Sequence, residues 1–278
     1  MQKILITYGT PDFKETLQRL QKEAKRLKLF DKIILYEPND LPDYIKSNSL
    51  MAFKKGGGYW LWKPYIIWKT LQDYKDAVVI YVDGGCTLQS TNEWTSLFEK
   101  IKNVDTILFR YRSEYDYNWT KIEGVDNTRI QHWTKKNTIE YFNLLFKGED
   151  WTKLNKIWGG NIFCKNKDNR LIREWLNISL FQPQLIMDPF GNEIDNQYDS
   201  FIEHRHDQSI LTPLGHYYSR YNEVLILPEL SESKKSDAAV VASRITNLSH
   251  RTYRKRIIRM LRNVLGDRFV ELLGSFVH

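Results

Sequence analysis

The sequence predicts an α/β fold on a mixed, mostly parallel central sheet. Three observations carry that prediction. Four short apolar runs, KILIT (3–7), KIILY (32–36), AVVIYV (77–82) and the run at 106–109, fall within the first 110 residues. Uninterrupted apolar runs of this length read as strands covered on both faces. The stretches between them are long enough for crossover helices, which parallel strands require. The chain has 278 residues, 42% hydrophobic and 27% charged, which suits a globular body and excludes disorder along its whole length.

The elements follow in order. Residues 3–7 form a strand that ends at the turn Tyr8-Gly9-Thr10. Residues 12–29 are amphipathic and helical, and 32–36 form a second buried strand. Pro38 and Pro42 mark a loop. Residues 64–74 are a helix with Pro64 in its first turn. The most apolar run, 77–82, belongs at the centre of the sheet. A helix over 91–102 takes Thr91 or Asn92 as its cap. The rhythm weakens over 111–133, then resumes with a strand at 158–164 and a helix at 168–176. Residues 182–202 form a long loop, 206–214 a short helix and 224–227 a last strand. The polar SESKKS (231–236) reads as part of a linker. The expected organisation is a folded domain over 1–230, a linker over 231–243 and a tail over 244–278.

The tail differs from the body in charge. Eight of the 41 basic and two of the 34 acidic residues fall from Arg244 onward, a net +6, against +1 for residues 1–243. Within the tail, Tyr253, Ile257, Leu261, Leu265, Phe269 and Leu272 share one helical stripe, and Arg254, Lys255, Arg256, Arg259 and Arg262 surround its first half. That pattern predicts a helix lying on an anionic membrane surface, with docking on the body as the plain alternative. The near-neutral body argues against nucleic acid as a partner. No apolar run is long enough for a membrane span and the N-terminus has no signal-peptide layout, so the expected location is cytoplasmic, peripheral on the inner face of the membrane. Two cysteines, Cys86 and Cys164, exclude a disulfide scaffold and a four-cysteine zinc site.

Four segments have the residue types for chemistry. In Tyr81-Val82-Asp83-Gly84-Gly85-Cys86 a carboxylate ends a buried strand and two glycines admit a ligand to the backbone, where α/β sheets bind ligands; an ordinary Asp-Gly turn is the alternative. In Gly56-Gly57-Gly58-Tyr59-Trp60-Leu61-Trp62-Lys63-Pro64, glycine backbone and Lys63 suit a phosphate, and Tyr59, Trp60 or Trp62 suit stacking on a base or sugar; a tight turn with core aromatics is the alternative. It matches neither a Walker A loop nor GxGxxG. In Trp158-Gly159-Gly160-Asn161 two glycines precede a strand, as though a bulky group sits against the backbone. Glu203-His204-Arg205-His206-Asp207-Gln208 joins carboxylates to histidines without metallohydrolase spacing. Asp207 is the candidate general base, Glu203 the second, and Gln208 suits sugar hydroxyls.

In this order, KILITYG, FDKIILYEPNDLP, GGGYWLWKPYII, YVDGGCTL and EHRHDQSI resemble a family of bacterial glycosyltransferases of capsule and lipopolysaccharide synthesis, over residues 1–230. More distantly the chain is similar to sugar-nucleotide transferases of the GT-A fold. The resemblance implies a single GT-A-like domain and a nucleotide-sugar donor, most simply a UDP-sugar, at Tyr8, Gly9, Thr10, Gly58, Tyr59, Trp62, Lys63, Asp83, Gly84 and Gly85. It implies that Trp158, Gly159, Gly160, Asn161, His204, His206 and Gln208 face the transferred sugar or the acceptor, an oligosaccharide or lipid-linked saccharide. It also implies Mn²⁺ or Mg²⁺ on a D-x-D pair, in which Asp83 holds the first place and Gly85 the second. Lys63 or an arginine elsewhere is the alternative neutraliser of the diphosphate. A catalytically inactive sugar-nucleotide or carbohydrate binder is the competing function.

Overall fold

The computed structural model describes residues 1–117 and 125–245. The strands are β1 (Gln2–Tyr8), β2 (Lys32–Tyr36), β3 (Ala77–Val82), β4 (Thr87–Leu88), β5 (Thr106–Arg110), β6 (Ile157–Cys164), β7 (Val224–Pro228) and β8 (Val240–Val241). The helices are α1 (Lys14–Leu27), α2 (Asp43–Lys46), α3 (Gly56–Tyr59), α4 (Trp62–Asp73), α5 (Glu93–Lys100), α6 (Lys136–Phe146), α7 (Arg170–Phe181) and α8 (Asp207–Ser219). Six strands form one sheet in the order β2-β1-β3-β6-β5-β7. Strands β1, β2 and β3 are parallel to one another, as are β5 and β7, and β6 runs antiparallel to both of its neighbours. The sheet is mixed and mostly parallel, as the apolar runs predict.

Side-chain alternation along each strand feeds two cores. Ile4, Ile6, Val79 and Tyr81 join residues of α4, α6, α7 and α8 on one face. Leu5, Val78, Ile80 and Val82 join Leu20, Ala24, Trp94 and Phe98 of α1 and α5 on the other. Strand β3 is buried along its whole length, which is why its run has no polar residue.

The parallel arrangement brings the carboxyl ends of β1 and β3 together. The antiparallel β6 enters beside β3 from the same end, so Asn161 pairs with Val82, and the Asp83 N–H donates to the Gly160 carbonyl at 2.9 Å. Loops 9–13, 83–86 and the first residues of β6 therefore share one rim.

Several elements differ from expectation. Helix α8 runs to Ser219, past Pro213 inside it, rather than ending near 214. Helix α7 starts after Asn169, whose side chain accepts from the Ile172 N–H, and continues to Phe181. Residues 231–243 are not a linker. Ala238, Ala239 and Val240 are buried, and β8 pairs with β4 at Leu88. The polar SESKKS hid that contact because the apolar residues that dock follow it. The amphipathic stripe and Arg254, Lys255, Arg256, Arg259 and Arg262 lie outside the described residues. Among the described residues, no helix is long and apolar enough to cross a membrane.

Candidate active site

At the carboxyl ends of β1 and β3 lies a cleft of about 1240 Å³. Tyr8, Gly9 and Thr10 line one part of it, Asp83, Gly84 and Gly85 another, and Trp62, Trp158 and Gln208 a third. Tyr8 stacks on Trp62 at 4.0 Å and 16°. Burial, with a smaller push from Asp40, raises the Tyr8 phenol to about 12, so it stays a neutral hydroxyl.

The 83–86 turn is fixed from below. Its own Cys86 N–H donates to the Asp83 carbonyl at 2.9 Å. Arg19 of α1 donates to the Gly84 carbonyl at 3.1 Å and the Cys86 carbonyl at 2.5 Å, while bonding Glu23 at 2.6 Å. Glu23 in turn accepts from the Leu88 N–H at 3.0 Å. Sequence reasoning missed Arg19. Its i,i+4 pairing with Glu23 looks like surface charge until the helix face is known.

Under this turn lies a charge cluster. The Lys63 ammonium, 2% exposed, donates to Asp207 Oδ2 at 2.6 Å and to the Gly159 carbonyl at 3.1 Å, and stands 3.4 Å from Asp83 Oδ1. The Tyr81 hydroxyl donates to the same Asp83 oxygen. Burial acts to lower the Lys63 pKa, but the charges of Asp207 and then Asp83 outweigh it, and the net shift is upward. The ammonium therefore stays charged between two carboxylates. The Asp83 side chain remains 40% exposed and borders the cleft, whereas that of Asp207 is 7% exposed.

This geometry corrects part of the expected site. Lys63 lies below the cleft surface, not on its wall, and its ammonium bonds Asp207 and the Gly159 carbonyl. Gly58 is buried against Met51, and Tyr59 donates to Asp188 at 2.8 Å; neither lines the cleft. His204 bonds the Leu185 carbonyl and the Lys135 N–H, while His206 bonds the Ile186 carbonyl and stacks on Trp60. Burial lowers the pKa of both, so they are neutral packing groups that anchor the 182–190 loop. Asn161 is buried inside β6, and Gly160 packs beneath the Trp158 ring. Glu203 is exposed and pairs with Arg205 at 3.1 Å. Tyr8, Gly9, Thr10, Trp62, Asp83, Gly84, Gly85, Trp158 and Gln208 do meet in the cleft. Gln208 Oε1 there is buried without a hydrogen-bond partner in the structure.

Among the described residues, those at the Asp83 turn do not make a donor set for a divalent cation. Asp83 supplies one carboxylate, half engaged by Tyr81 and Lys63, and Gly85 supplies none. A Cβ at Gly85 would sit 3.4 Å from the Ile245 carbonyl, so chain rather than a second ligand borders that position. Among the described residues no group of three or more His, Cys, Asp or Glu is placed to hold a metal.

No family model matches the chain, and no curated protein matches it. Solved structures similar to it include a glycosyltransferase involved in glycosylation of the major capsid of PBCV-1 (8% identity, 87% of this chain and 93% of that one, TM-score 0.46). Others are mouse xyloside xylosyltransferase 1 (13%, 82% and 85%, 0.43) and the galactosyltransferase LgtC with donor and acceptor sugar analogues (11%, 76% and 70%, 0.37). At TM-scores under 0.5, activity has to be read from the site's own residues.

Proposed function

We propose that the chain is a glycosyltransferase that takes a sugar from a nucleotide-sugar donor to an acceptor hydroxyl. The observation that carries this reading is the Asp83–Lys63–Asp207 cluster beneath a cleft at the carboxyl ends of β1 and β3. Aromatic side chains at Tyr8, Trp62 and Trp158, largely buried, form part of the cleft wall. It offers Asp83 and Gln208 to hydroxyl groups, which polar residues on a mostly apolar wall select by hydrogen bonding.

In the reaction the acceptor oxygen bonds to the anomeric carbon as the bond to the diphosphate oxygen breaks. The electron pair leaves with the diphosphate, and the hydroxyl proton is lost to a carboxylate or to the departing phosphate. Asp83, the more exposed carboxylate, faces the ligand. Asp207, held at 2.6 Å by Lys63, acts as a positioning residue rather than as the general base its sequence context suggests. The motif order and the basic tail support a surface-polysaccharide role, with a saccharide acceptor carried on lipid and a protein peripheral to the membrane.

The test is a thermal-shift and turnover panel of nucleotide sugars with the full chain. One nucleotide class should raise the melting temperature by mass action, and Asp83→Asn should abolish transfer or donor hydrolysis while leaving the fold intact. Binding without any turnover in the parent chain would favour the inactive binder. Silence across the panel would overturn the reading.

A further inference from the structure

The cleft has a second electrostatic side that the carboxylate floor does not explain. Lys156, Arg205 and Arg244 also line it. They come from three separate segments: the residue before β6, the loop before α8 and the chain after β8. The Lys156 amine is buried, with its nitrogen 4.7 Å from the centre of the Tyr111 ring and 4.2 Å from that of Trp133. The Arg205 guanidinium stands 4.7 Å from the same Trp133 ring. Arg244 pairs with Glu232 at 2.9 Å but is 69% exposed. The next residue's N–H, from Ile245, donates to the Gly85 carbonyl at 3.0 Å, which ties the Arg244 segment to the Asp83 turn.

Burial first, and then Arg205, pull the Lys156 pKa well below the usual amine range; Glu232 and Glu203 act the other way, and Arg244 adds to the depression. An amine whose charged form is disfavoured by desolvation and by like charge is driven toward protonation by an incoming anion. Arg is suited to bidentate phosphate contacts, and two of the three cations are arginines. Each arginine has a carboxylate partner that it can exchange for a ligand, Glu203 for Arg205 and Glu232 for Arg244. The Asp83 turn carries a single carboxylate, and the cationic side chains on the cleft wall are groups of the chain itself that can neutralise a polyanion there.

We propose that Lys156, Arg205 and Arg244 form the receptor for the donor's diphosphate, and that this receptor makes binding independent of a divalent cation. The proposal rests on reading the cleft as a sugar-nucleotide site. It also orients the donor: the diphosphate lies on the cationic side and the sugar hydroxyls face Asp83 and Gln208.

The experiment is calorimetry of the full chain with UDP, GDP, CDP, dTDP and inorganic pyrophosphate, each in EDTA and in Mn²⁺. One diphosphate should bind with the same Kd in both buffers. Arg205→Gln and Arg244→Gln, both partly exposed and expected to fold, should each weaken it roughly tenfold, the scale of one lost charge-assisted contact. Lys156→Met, which keeps the buried volume, should weaken it similarly. Where the Lys156 amine is neutral in the free chain, binding should take up a fraction of a proton, read from the dependence of heat on buffer ionisation, and Lys156→Met should lose that uptake. A requirement for Mn²⁺, or parent-like affinity in both arginine variants, overturns the cationic receptor and leaves the transferase reading standing. No diphosphate binding in either buffer overturns both.

Discussion

In the segment Gly56–Trp60 five successive residues have positive φ, including Tyr59 at 52° and Trp60 at 59°. In β6, Gly159 and Gly160 have ordinary extended backbone with no positive φ. Both segments read in sequence as glycines clearing room for a ligand beside aromatic rings. The first is a left-handed turn, and glycine is there because L-residues resist that conformation. The second is a strand, and glycine is there because side chains already fill the space. A Cβ at Gly160 would lie 2.5 Å from the Trp158 ring, and one at Gly159 would lie 3.2 Å from Asp207 Oδ2. The left-handed turn delivers Trp62 to the cleft and Tyr59 away from it, so its strain, shared by two bulky residues, is stored next to the site. The strand glycines let Trp158 and the Lys63 cluster occupy the cleft wall and floor.

The largest expected effect probes the floor under Gly159. Lys63→Met strands Asp207 without its cation and should cost about 3–5 kcal/mol in urea unfolding, the range for breaking a buried ion pair. Adding Asp207→Asn should recover part of that loss, which a purely steric role for Lys63 would not allow. Next is Gly58→Ala, where a φ of +97° and a Cβ 2.4 Å from Met51 Sδ act together. It should cost about 3 kcal/mol, combining the left-handed penalty with overpacking. Gly160→Ala should cost about 1–3 kcal/mol by overpacking alone. That cost should fall sharply in a Trp158→Ala background, because the nearest atoms all belong to Trp158; additive costs in that double-mutant cycle would break the distinction. The smallest effect belongs to Gly57→Ala. Its nearest neighbour is Trp62 Nε1 at an ordinary 3.6 Å, so only backbone strain of about 1 kcal/mol remains. Gly57→Asn should cost less, since Asn tolerates left-handed backbone. Equal melting temperatures for the Ala and Asn variants would deny that φ governs this position.

The run 77–82 was legible because burial on both faces demands an unbroken apolar run, and it matches β3 end for end. Residues 32–36 match β2 in extent, but β2 is an edge strand, exposed at Lys32 and half-buried over residues 33–35, rather than the buried strand expected. Helix α6 was not read from the sequence at all; it follows a polar aromatic stretch with no clean period. That Tyr8, Asp83 and Trp158 line one cleft was legible because each stands at or next to a strand end, where ligands of α/β sheets gather. Lys156, Arg205 and Arg244 were not. They come from distant segments, and a basic residue in a loop carries no sign of the concavity it will line.

The sequence by itself determined the alternation of strands and helices in the first 110 residues and the depth of β3 in the sheet, since both follow from apolar period and crossover length. It also determined which segments are rich in glycine. Only the tertiary structure decided what those glycines do, that Lys63 faces two carboxylates instead of solvent, and that 231–243 packs onto the body. These outcomes depend on distances between residues far apart in the chain, and no local pattern encodes such distances.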